Sequence, residues 1–251
     1  MISKNTLRQI RLLEQKKHRL ESGLFVAEGP KVVGDLLRSG YRSQQLFATR
    51  NFLESTAADS LRHLLPEHLL TEVSDDELRR LSFLQHPQHV LAVFPLPDRH
   101  TVATPSGLCL ALDGVQDPGN LGTIIRIADW FGIRDIYCSP DTADAWNPKV
   151  VQATMGSIAR VRLCYTDLAS LISQTTLPVY GTLLDGTDIY QQQLSADGII
   201  VMGNEGNGIS PALRPLITRR LLIPSYRQDD TAESLNVAIA TAITCAEFRR
   251  R

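Results

Sequence analysis

The sequence has no long apolar stretch, which argues against an integral membrane protein. Among its 251 residues, no apolar run approaches the roughly 20 residues that a membrane-spanning helix needs. The chain begins Met1-Ile2-Ser3-Lys4 and continues into a polar helical pattern, without the apolar core of a signal peptide. We therefore expect a cytoplasmic protein with no membrane partner.

Cysteine is scarce and widely spaced. The chain has four cysteines, which form no C-x-x-C pair and no set with histidine at metal-ligand spacing. We therefore expect neither a disulfide framework nor a bound metal. Reduced, mostly buried thiols are expected at Cys109, Cys138, Cys164 and Cys245.

An excess of basic charge is also missing. The 26 Lys and Arg residues are balanced by 27 Asp and Glu, for a net charge of -1. This excludes a globally basic nucleic-acid coat but not a local basic patch. Apolar residues at helical spacing predict a helix over residues 5–20 whose other faces are basic. Those faces could be merely solvated, or Lys16, Lys17 and Arg19 could contact phosphates.

The composition itself is that of an ordinary globular protein, with 43% hydrophobic and 21% charged residues. Strand and helix patterns alternate in residues 1–97, which predicts a small α/β domain that includes a helix over residues 52–65. A proline-rich change of composition predicts a linker over residues 98–106. Residues 107–251 alternate apolar runs with helices, the pattern of a parallel sheet covered on both faces.

The chain is organised around a strand that leads into a helix. Leu108–Leu112 reads as a buried strand, Asp117-Pro118-Gly119 as a turn, and Asn120 as the N-cap of a helix that Gly132 ends. The N-terminus of such a helix carries free N–H groups and the positive end of the helix dipole. A group that develops negative charge would be stabilised there.

An arginine lies within reach of this helix start. Arg126 follows Gly122 by four residues, so the two share a helix face, and a helical side chain leans back over the preceding turn. The guanidinium could therefore contact a ligand at the helix N-terminus. A capped helix with an ordinary surface arginine explains the same residues equally well.

A glycine-rich loop follows the apolar run at residues 199–202. Gly203-Asn204-Glu205-Gly206-Asn207-Gly208 has the spacing G-x-x-G-x-G, the reverse of the dinucleotide-binding fingerprint. A nicotinamide- or nucleotide-dependent enzyme is therefore a weak alternative. The glycines still let the backbone approach a ligand closely, and Glu205 could be a carboxylate beside that ligand or a simple turn residue.

Polar side chains also occur at the start of the last predicted helix, over residues 233–250. Ile223-Pro224 precedes a polar segment, and Ser234-Leu235-Asn236-Val237 then opens the apolar helix. Ser and Asn at such a position usually cap the helix. They would also place polar groups beside the glycine loop.

Taken together, the three stretches resemble the three motifs of the SpoU (TrmH-type) RNA 2'-O-ribose methyltransferases of the SPOUT superfamily, in order and approximate spacing. Phe25-Val26-Ala27-Glu28-Gly29 and His89–Val93 resemble the L30e-like substrate-binding domain that many members carry. The resemblance implies methyl transfer from S-adenosylmethionine to a ribose 2'-hydroxyl in structured rRNA or tRNA. It also implies a deep trefoil knot in an α/β C-terminal domain and a homodimer whose interface includes the cofactor site.

The resemblance also assigns site residues. The expected cofactor-binding residues are Gly203, Ile223, Leu235 and Leu183. The expected catalytic set is Asn120, Arg126, Glu205, Ser234 and Asn236. A guanidinium, with a pKa above about 12, is a poor general base, so Arg126 is expected to bind an RNA phosphate or to stabilise the developing alkoxide. Lys16, Lys17 and Arg19 would then contact RNA.

The third motif departs from the family pattern. The segment from Ser225 to Glu233 is polar, contains no glycine and is longer than the usual turn. A changed cofactor loop leaves open a second class of function, a noncatalytic RNA-binding or ribosome-associated protein that retains the fold.

Overall fold

The computed structural model describes residues 2–59, 61–65, 67–97, 103–226 and 234–250. In chain order the helices are α1 Lys4–Leu12, α2 Lys16–Ser22, α3 Pro30–Arg38, α4 Arg50–Leu53, α5 Thr56–Asp59, α6 Asp75–Leu81, α7 Pro118–Trp130, α8 Pro148–Ala153, α9 Leu168–Ser173 and α10 Val237–Arg250. The strands are β1 Leu24–Glu28, β2 Gln45–Thr49, β3 Leu70–Val73, β4 Val90–Pro95, β5 Leu108–Leu112, β6 Asp135–Cys138, β7 Arg162–Tyr165, β8 Val179–Asp188, β9 Gly198–Met202 and β10 Arg219–Leu222. Within the described ranges, no helix combines the length and apolarity that a membrane crossing requires.

The backbone contacts divide the chain into two compact units. The first consists of residues 1–98 together with 144–159, and the second of residues 99–143 together with 160–251. The segment 144–159, which carries α8, therefore packs with the N-terminal part of the chain. The domain bounds expected from the sequence stay a prediction.

The first unit is built on a mixed four-stranded sheet of order β1-β4-β2-β3. β4 pairs antiparallel with both β1 and β2, whereas β3 pairs parallel with β2. Ile10 and Leu13 from the N-terminal segment pack with Leu78 and Leu81 of α6 against the sheet residue Phe47 and its neighbours. Burial of this apolar face contributes to the stability of the unit.

Two helices predicted in the first unit are wrong in extent. The helix expected over residues 5–20 is broken into α1 and α2, because the Arg19 guanidinium donates to the carbonyl oxygens of Leu13 and Glu14 between them. The helix expected over residues 52–65 is instead a series of short helical turns. The Ser55 side chain accepts from the Ala58 N–H and so begins a new turn after α4 ends. Such a side-chain acceptor competes with continuous helix.

The second unit contains a six-stranded sheet of order β10-β8-β9-β5-β6-β7. Every pairing in it is parallel. The central strands β5 and β9 are buried along their whole length, as their continuous apolar sequences predicted. The expected α/β class with a parallel C-terminal sheet is confirmed, whereas the trefoil knot stays a prediction.

The cysteines are free thiols, as expected, and three of them are buried. Burial raises the pKa of the Cys109 thiol to about 11 and that of Cys245 to about 12. Because the thiolate is the reactive form, these side chains behave as apolar core residues at neutral pH.

Candidate active site

The first feature of the site is the start of α7, directly after β5. Asp117 caps this helix, since its Oδ1 accepts from the Asn120 N–H at 2.7 Å while Pro118 occupies the first helical position. Proline is favoured there because its missing N–H is not needed. The prediction of Asn120 as N-cap is therefore wrong by one turn. As Asp117 makes the cap, the Asn120 amide is left for other partners.

Those partners come from two distant parts of the sequence. Asn120 Nδ2 donates to Glu205 Oε1 at 2.9 Å, and Asn236 Nδ2 donates to Asn120 Oδ1 at 2.9 Å. Glu205 and Asn236 are exposed and Asn120 is half-buried. We call these three residues the amide–carboxylate chain. One residue from each motif stretch thus enters a single hydrogen-bonded group that solvent can reach.

Both ends of the amide–carboxylate chain are fixed by backbone groups. The Glu205 carboxylate lies 3.4 Å from the backbone nitrogens of both Gln116 and Asp117, which donate to it just before α7. At the other end, Asn236 Oδ1 accepts from the N–H groups of Ala238 and Ile239 and so caps α10. The positions of all three side chains therefore follow from two helix N-termini.

The glycine loop is rigidly bonded within itself. Asn204 and Gly208 exchange backbone hydrogen bonds of 3.0 and 2.9 Å, and Asn204 Oδ1 accepts from the N–H groups of Gly206 and Asn207. A side chain at Gly203 would place its Cβ 2.2 Å from the carbonyl carbon of Gly208, so only glycine fits. The loop is therefore preorganised beside Glu205.

Two residues that hold this loop were missed by sequence reasoning. Asn204 Nδ2 donates to the carbonyl oxygen of Gly114 at 2.7 Å, which ties the loop after β9 to the segment after β5. Gly114 has φ +71, a conformation that favours glycine. The signal available in the sequence was an asparagine directly after a buried strand, a residue type that bonds loop backbone.

A cleft of about 340 Å³ opens beside the glycine loop. Its volume lies within the range of sites for small molecules. The structure brings together here all the residues expected to bind the cofactor, namely Leu183, Gly203, Ile223 and Leu235. The lining also includes Thr182, Leu184, Met202, Asn204, Glu205, Gly206, Asn207, Gly208, Ile209, Arg214, Leu221, Leu222, Ser234, Val237 and Ala240. Apolar side chains and loop backbone thus form much of the walls, and the polar side chains of the lining include Glu205, Arg214 and Ser234.

Arg126 is the one member of the expected catalytic set that stands apart. It is exposed on α7, it does not line the cleft, and it makes no hydrogen bond or ion pair with any residue that the structure describes. Ser234 lines the cleft. A guanidinium without an internal partner is available to an external anion.

The basic residues of the first unit that are expected to contact RNA differ in their exposure and in their internal partners. Lys16 and Lys17 are exposed, and the Lys17 ammonium lies 3.8 Å from Glu21. Arg19 is 1% exposed and donates to Asp144 at 2.5 Å, in addition to the two carbonyls named above. The prediction that Arg19 contacts phosphate is wrong, because its guanidinium is buried and its hydrogen-bonding donors are used inside the protein.

The altered loop after Ile223 is described only in part. Tyr226 is 85% exposed, whereas residues 227–233 lie outside the described residues. The expectation of a changed cofactor loop therefore stays a prediction.

Comparison with known proteins identifies relatives of both parts of the chain. The SpoU rRNA Methylase family matches residues 107–246, and the MRM3-like substrate binding domain matches residues 4–92. The 23S rRNA (guanosine(2553)-2'-O)-methyltransferase RlmP of Bacillus subtilis is 32% identical over 94% of this chain and 93% of its own.

Two solved structures resemble the whole chain. A Porphyromonas gingivalis protein assigned to the TrmH family of RNA methyltransferases has a TM-score of 0.88 and 41% identity, over 100% of this chain and 99% of its own. An S-adenosylmethionine-bound rRNA methyltransferase from Sinorhizobium meliloti has a TM-score of 0.84 and 31% identity, over 100% of this chain and 96% of its own.

Proposed function

The chain belongs to the SpoU rRNA methylase family, and we propose that its cleft and its amide–carboxylate chain form the active site of an RNA 2'-O-ribose methyltransferase. The protein transfers a methyl group from S-adenosylmethionine to a ribose 2'-hydroxyl of RNA. The observation that carries the site assignment is the convergence of Asn120, Glu205 and Asn236 beside a cleft lined by Leu183, Gly203, Ile223 and Leu235.

The cleft fits this cofactor. Its apolar side chains suit the flat purine, and the backbone groups of the glycine loop that make no bond within the loop can bind the polar edges of that ring. S-adenosylmethionine supplies an activated methyl group whose departure leaves a neutral thioether. The chain therefore has to position the ribose and to stabilise charge on its oxygen.

The residues of the site divide this work. Arg126 binds an RNA phosphate or the alkoxide that develops on the ribose, and the charge of its guanidinium makes that bond strong. Asn120 and Asn236 orient the ribose, because the NH2 group of each amide makes one hydrogen bond and keeps its second N–H donor for a ligand. Glu205 fixes the Asn120 amide, and Ser234 offers a hydroxyl at the cleft.

We propose ribosomal RNA as the target. The relative from Bacillus subtilis is named for methylation of 23S rRNA, and the N-terminal part of this chain matches a substrate-binding domain. Exposed Lys16 and Lys17 would contact RNA phosphates from the first unit. The cytoplasmic location expected from the sequence stays a prediction.

We also infer a homodimer. Trp130 of α7 is 85% exposed and Ile239 of α10 is 53% exposed, and these two helices pack against each other in the second unit. Large apolar side chains exposed on packed helices are typical of an interface. Arg126 lies one turn before Trp130, outside the cleft of its own chain, so it would act at the partner's cleft.

A complementation experiment tests this arrangement. Arg126→Ala and Glu205→Ala chains should each be strongly impaired, whereas a refolded mixture should regain roughly a quarter of the wild-type rate if each site combines residues of two chains. A mixture as inactive as its components would contradict the shared site, and a monomer in sedimentation would contradict the dimer.

The proposed function is tested by labelled methyl transfer to unmodified ribosomal RNA, with alkaline hydrolysis to find linkages protected by a 2'-O-methyl group. Arg126→Ala should lower the rate by about 100-fold or more, as loss of a charge-stabilising donor does, while calorimetry shows unchanged cofactor binding. Arg134→Ala, another exposed arginine of the second unit, is the control. Unchanged turnover in Arg126→Ala would refute its role, and absent cofactor binding with intact RNA binding would favour the noncatalytic alternative.

A further inference from the structure

One arginine of the cofactor cleft belongs neither to the expected catalytic set nor to the expected cofactor-binding residues. Among the cleft residues that the structure describes, Arg214 is the only Lys or Arg. It begins the short 3-10 turn Arg214–Leu216, five residues after Ile209 at the end of the glycine loop. Its Nε donates to the carbonyl oxygen of Ile209 at 3.2 Å. The base of the guanidinium is therefore held against the wall of the cleft.

The remaining donors of Arg214 have no acceptor in the described part of the chain. A guanidinium carries five N–H donors in a fixed fork, and only the Nε donor is bonded here. No carboxylate of the described residues lies within ion-pair distance of it. The two terminal nitrogens thus form an open site for an anion that accepts two parallel hydrogen bonds, such as a carboxylate or a phosphate.

Charge complementarity identifies the anion. At neutral pH the carboxylate is the one negatively charged group of S-adenosylmethionine, because the sulfonium and ammonium groups are cationic and adenosine is neutral. The acidic side chain of the cleft, Glu205, already accepts from the Asn120 amide and from two backbone N–H groups. A ligand with two cationic groups would be repelled by Arg214 unless its own anion faced the guanidinium.

We propose that Arg214 binds the carboxylate of the methionine moiety and so sets the orientation of S-adenosylmethionine in the cleft. The inference rests on the proposed function and adds a specificity residue to it. A fixed carboxylate restricts how the flexible methionine arm can turn, which restricts in turn where the methyl group lies. Arg214 also gives the cleft a means to reject cationic analogues that lack the carboxylate.

Decarboxylated S-adenosylmethionine provides the test, since it differs from the cofactor by this one group. Calorimetric titrations of the full chain with both compounds give a ratio of affinities for each variant. The wild-type protein should bind S-adenosylmethionine about tenfold or more tightly than the decarboxylated analogue, as a charge-assisted hydrogen bond implies. In Arg214→Gln the ratio should fall towards one, and Arg214→Lys should restore part of it. Arg219→Gln, which removes an exposed arginine of β10 outside the cleft, should keep the wild-type ratio.

The outcomes separate this inference from the function on which it rests. An unchanged ratio of affinities in Arg214→Gln would overturn the inference, even if both affinities fell. Loss of a purely structural arginine would weaken the binding of both ligands alike. An unchanged ratio with a raised KM for RNA would assign Arg214 to an RNA phosphate instead and would also overturn it. Failure of the wild-type chain to bind S-adenosylmethionine would overturn the proposed function itself.

Discussion

The two units use arginine, amide and carboxylate side chains in opposite ways. In the first unit, Arg19 is 1% exposed and donates to Asp144 and to the carbonyls of Leu13 and Glu14. In the second unit, Arg126 is exposed and has no bonded partner among the described residues, and the amide–carboxylate chain beside the cleft is open to solvent. The number of internal partners, and not the residue type, therefore separates a polar group that stabilises the fold from one that is left for a ligand.

The largest effect should come from Arg19→Ala. The change removes the buried cation and leaves Asp144, whose side chain is only 12% exposed, without its partner, and such changes cost about 3–5 kcal/mol of the free energy of unfolding. Urea denaturation followed by circular dichroism measures this loss. Arg126→Ala should change the same free energy by less than about 0.5 kcal/mol, as exposed substitutions do.

Lys17→Ala is a suitable control for Arg19→Ala, because it removes a positive charge from the same helix α2 at an exposed position. If Arg19→Ala were as stable as Lys17→Ala, the contrast between the buried and the exposed arginine would fail.

A smaller effect is expected when the centre of the amide–carboxylate chain is removed. Asn120→Ala breaks one hydrogen bond to a charged group and one to a neutral amide, so methyl transfer should fall by about 10- to 100-fold. The free energy of unfolding should change little, since these groups can bond to water. Steady-state kinetics and urea denaturation of the same variant give both quantities.

The double variant Asn120→Ala/Asn236→Ala tests whether the two amides act together. Hydrogen-bonded residues are coupled, so the combined loss should be smaller than the product of the single losses. Strictly multiplicative losses would mean that the hydrogen bond between the amides contributes nothing to the reaction.

The sequence predicted these two regions unequally. The buried strands of the second unit were predictable because short, continuous apolar runs such as Ile199–Met202, alternating with helical patterns, are typical of the interior of a parallel sheet. The site was predictable only through the family resemblance. Hydrogen bonds that span 85 and 116 residues, from Asn120 to Glu205 and Asn236, leave no local pattern.

The errors have the same physical origin. The sequence shows the charge of Arg19 but not its partner Asp144, which lies 125 residues away, and so predicts a phosphate contact. Asn and Asp both cap helices well, and the position of Pro118 decides between Asp117 and Asn120 only once the first helical residue is known. Local patterns therefore indicate the chemistry of a side chain but not its long-range partners.

A still smaller effect concerns the exposed lysines of α2. If Lys16 and Lys17 contact phosphates, their joint replacement by Gln should weaken RNA binding and reduce the slope of log affinity against log salt by about 1.4 to 1.8, or 0.7 to 0.9 per contact. Binding titrations at several salt concentrations measure the slope. Arg79→Gln/Arg80→Gln removes two charges from α6 of the same unit as a control. A slope equal to that of the control would make α2 an ordinary solvated face.

The smallest effect concerns the pH dependence of stability in the first unit. Glu28 is 5% exposed, and burial raises the pKa of its carboxyl, although hydrogen bonds from the Ser82 hydroxyl and the Phe83 N–H partly oppose the rise. The folded state therefore holds this proton more tightly than the unfolded state. The stabilisation from protonated Glu28 is complete below the ordinary pKa of glutamate and is lost as pH rises through the raised value.

The difference in unfolding free energy between the wild-type protein and Glu28→Gln isolates this one proton. It should decrease with rising pH just above the ordinary glutamate pKa and become constant at higher pH. Glu72→Gln, at an exposed position of β3, is the control, because it measures how removal of an exposed carboxyl changes the same pH dependence. A difference that increases with pH would mean that the hydrogen bonds and the charge of Arg11 outweigh burial at Glu28. Glu28 would then be held as a carboxylate by the Ser82 hydroxyl and the Phe83 N–H in spite of its burial.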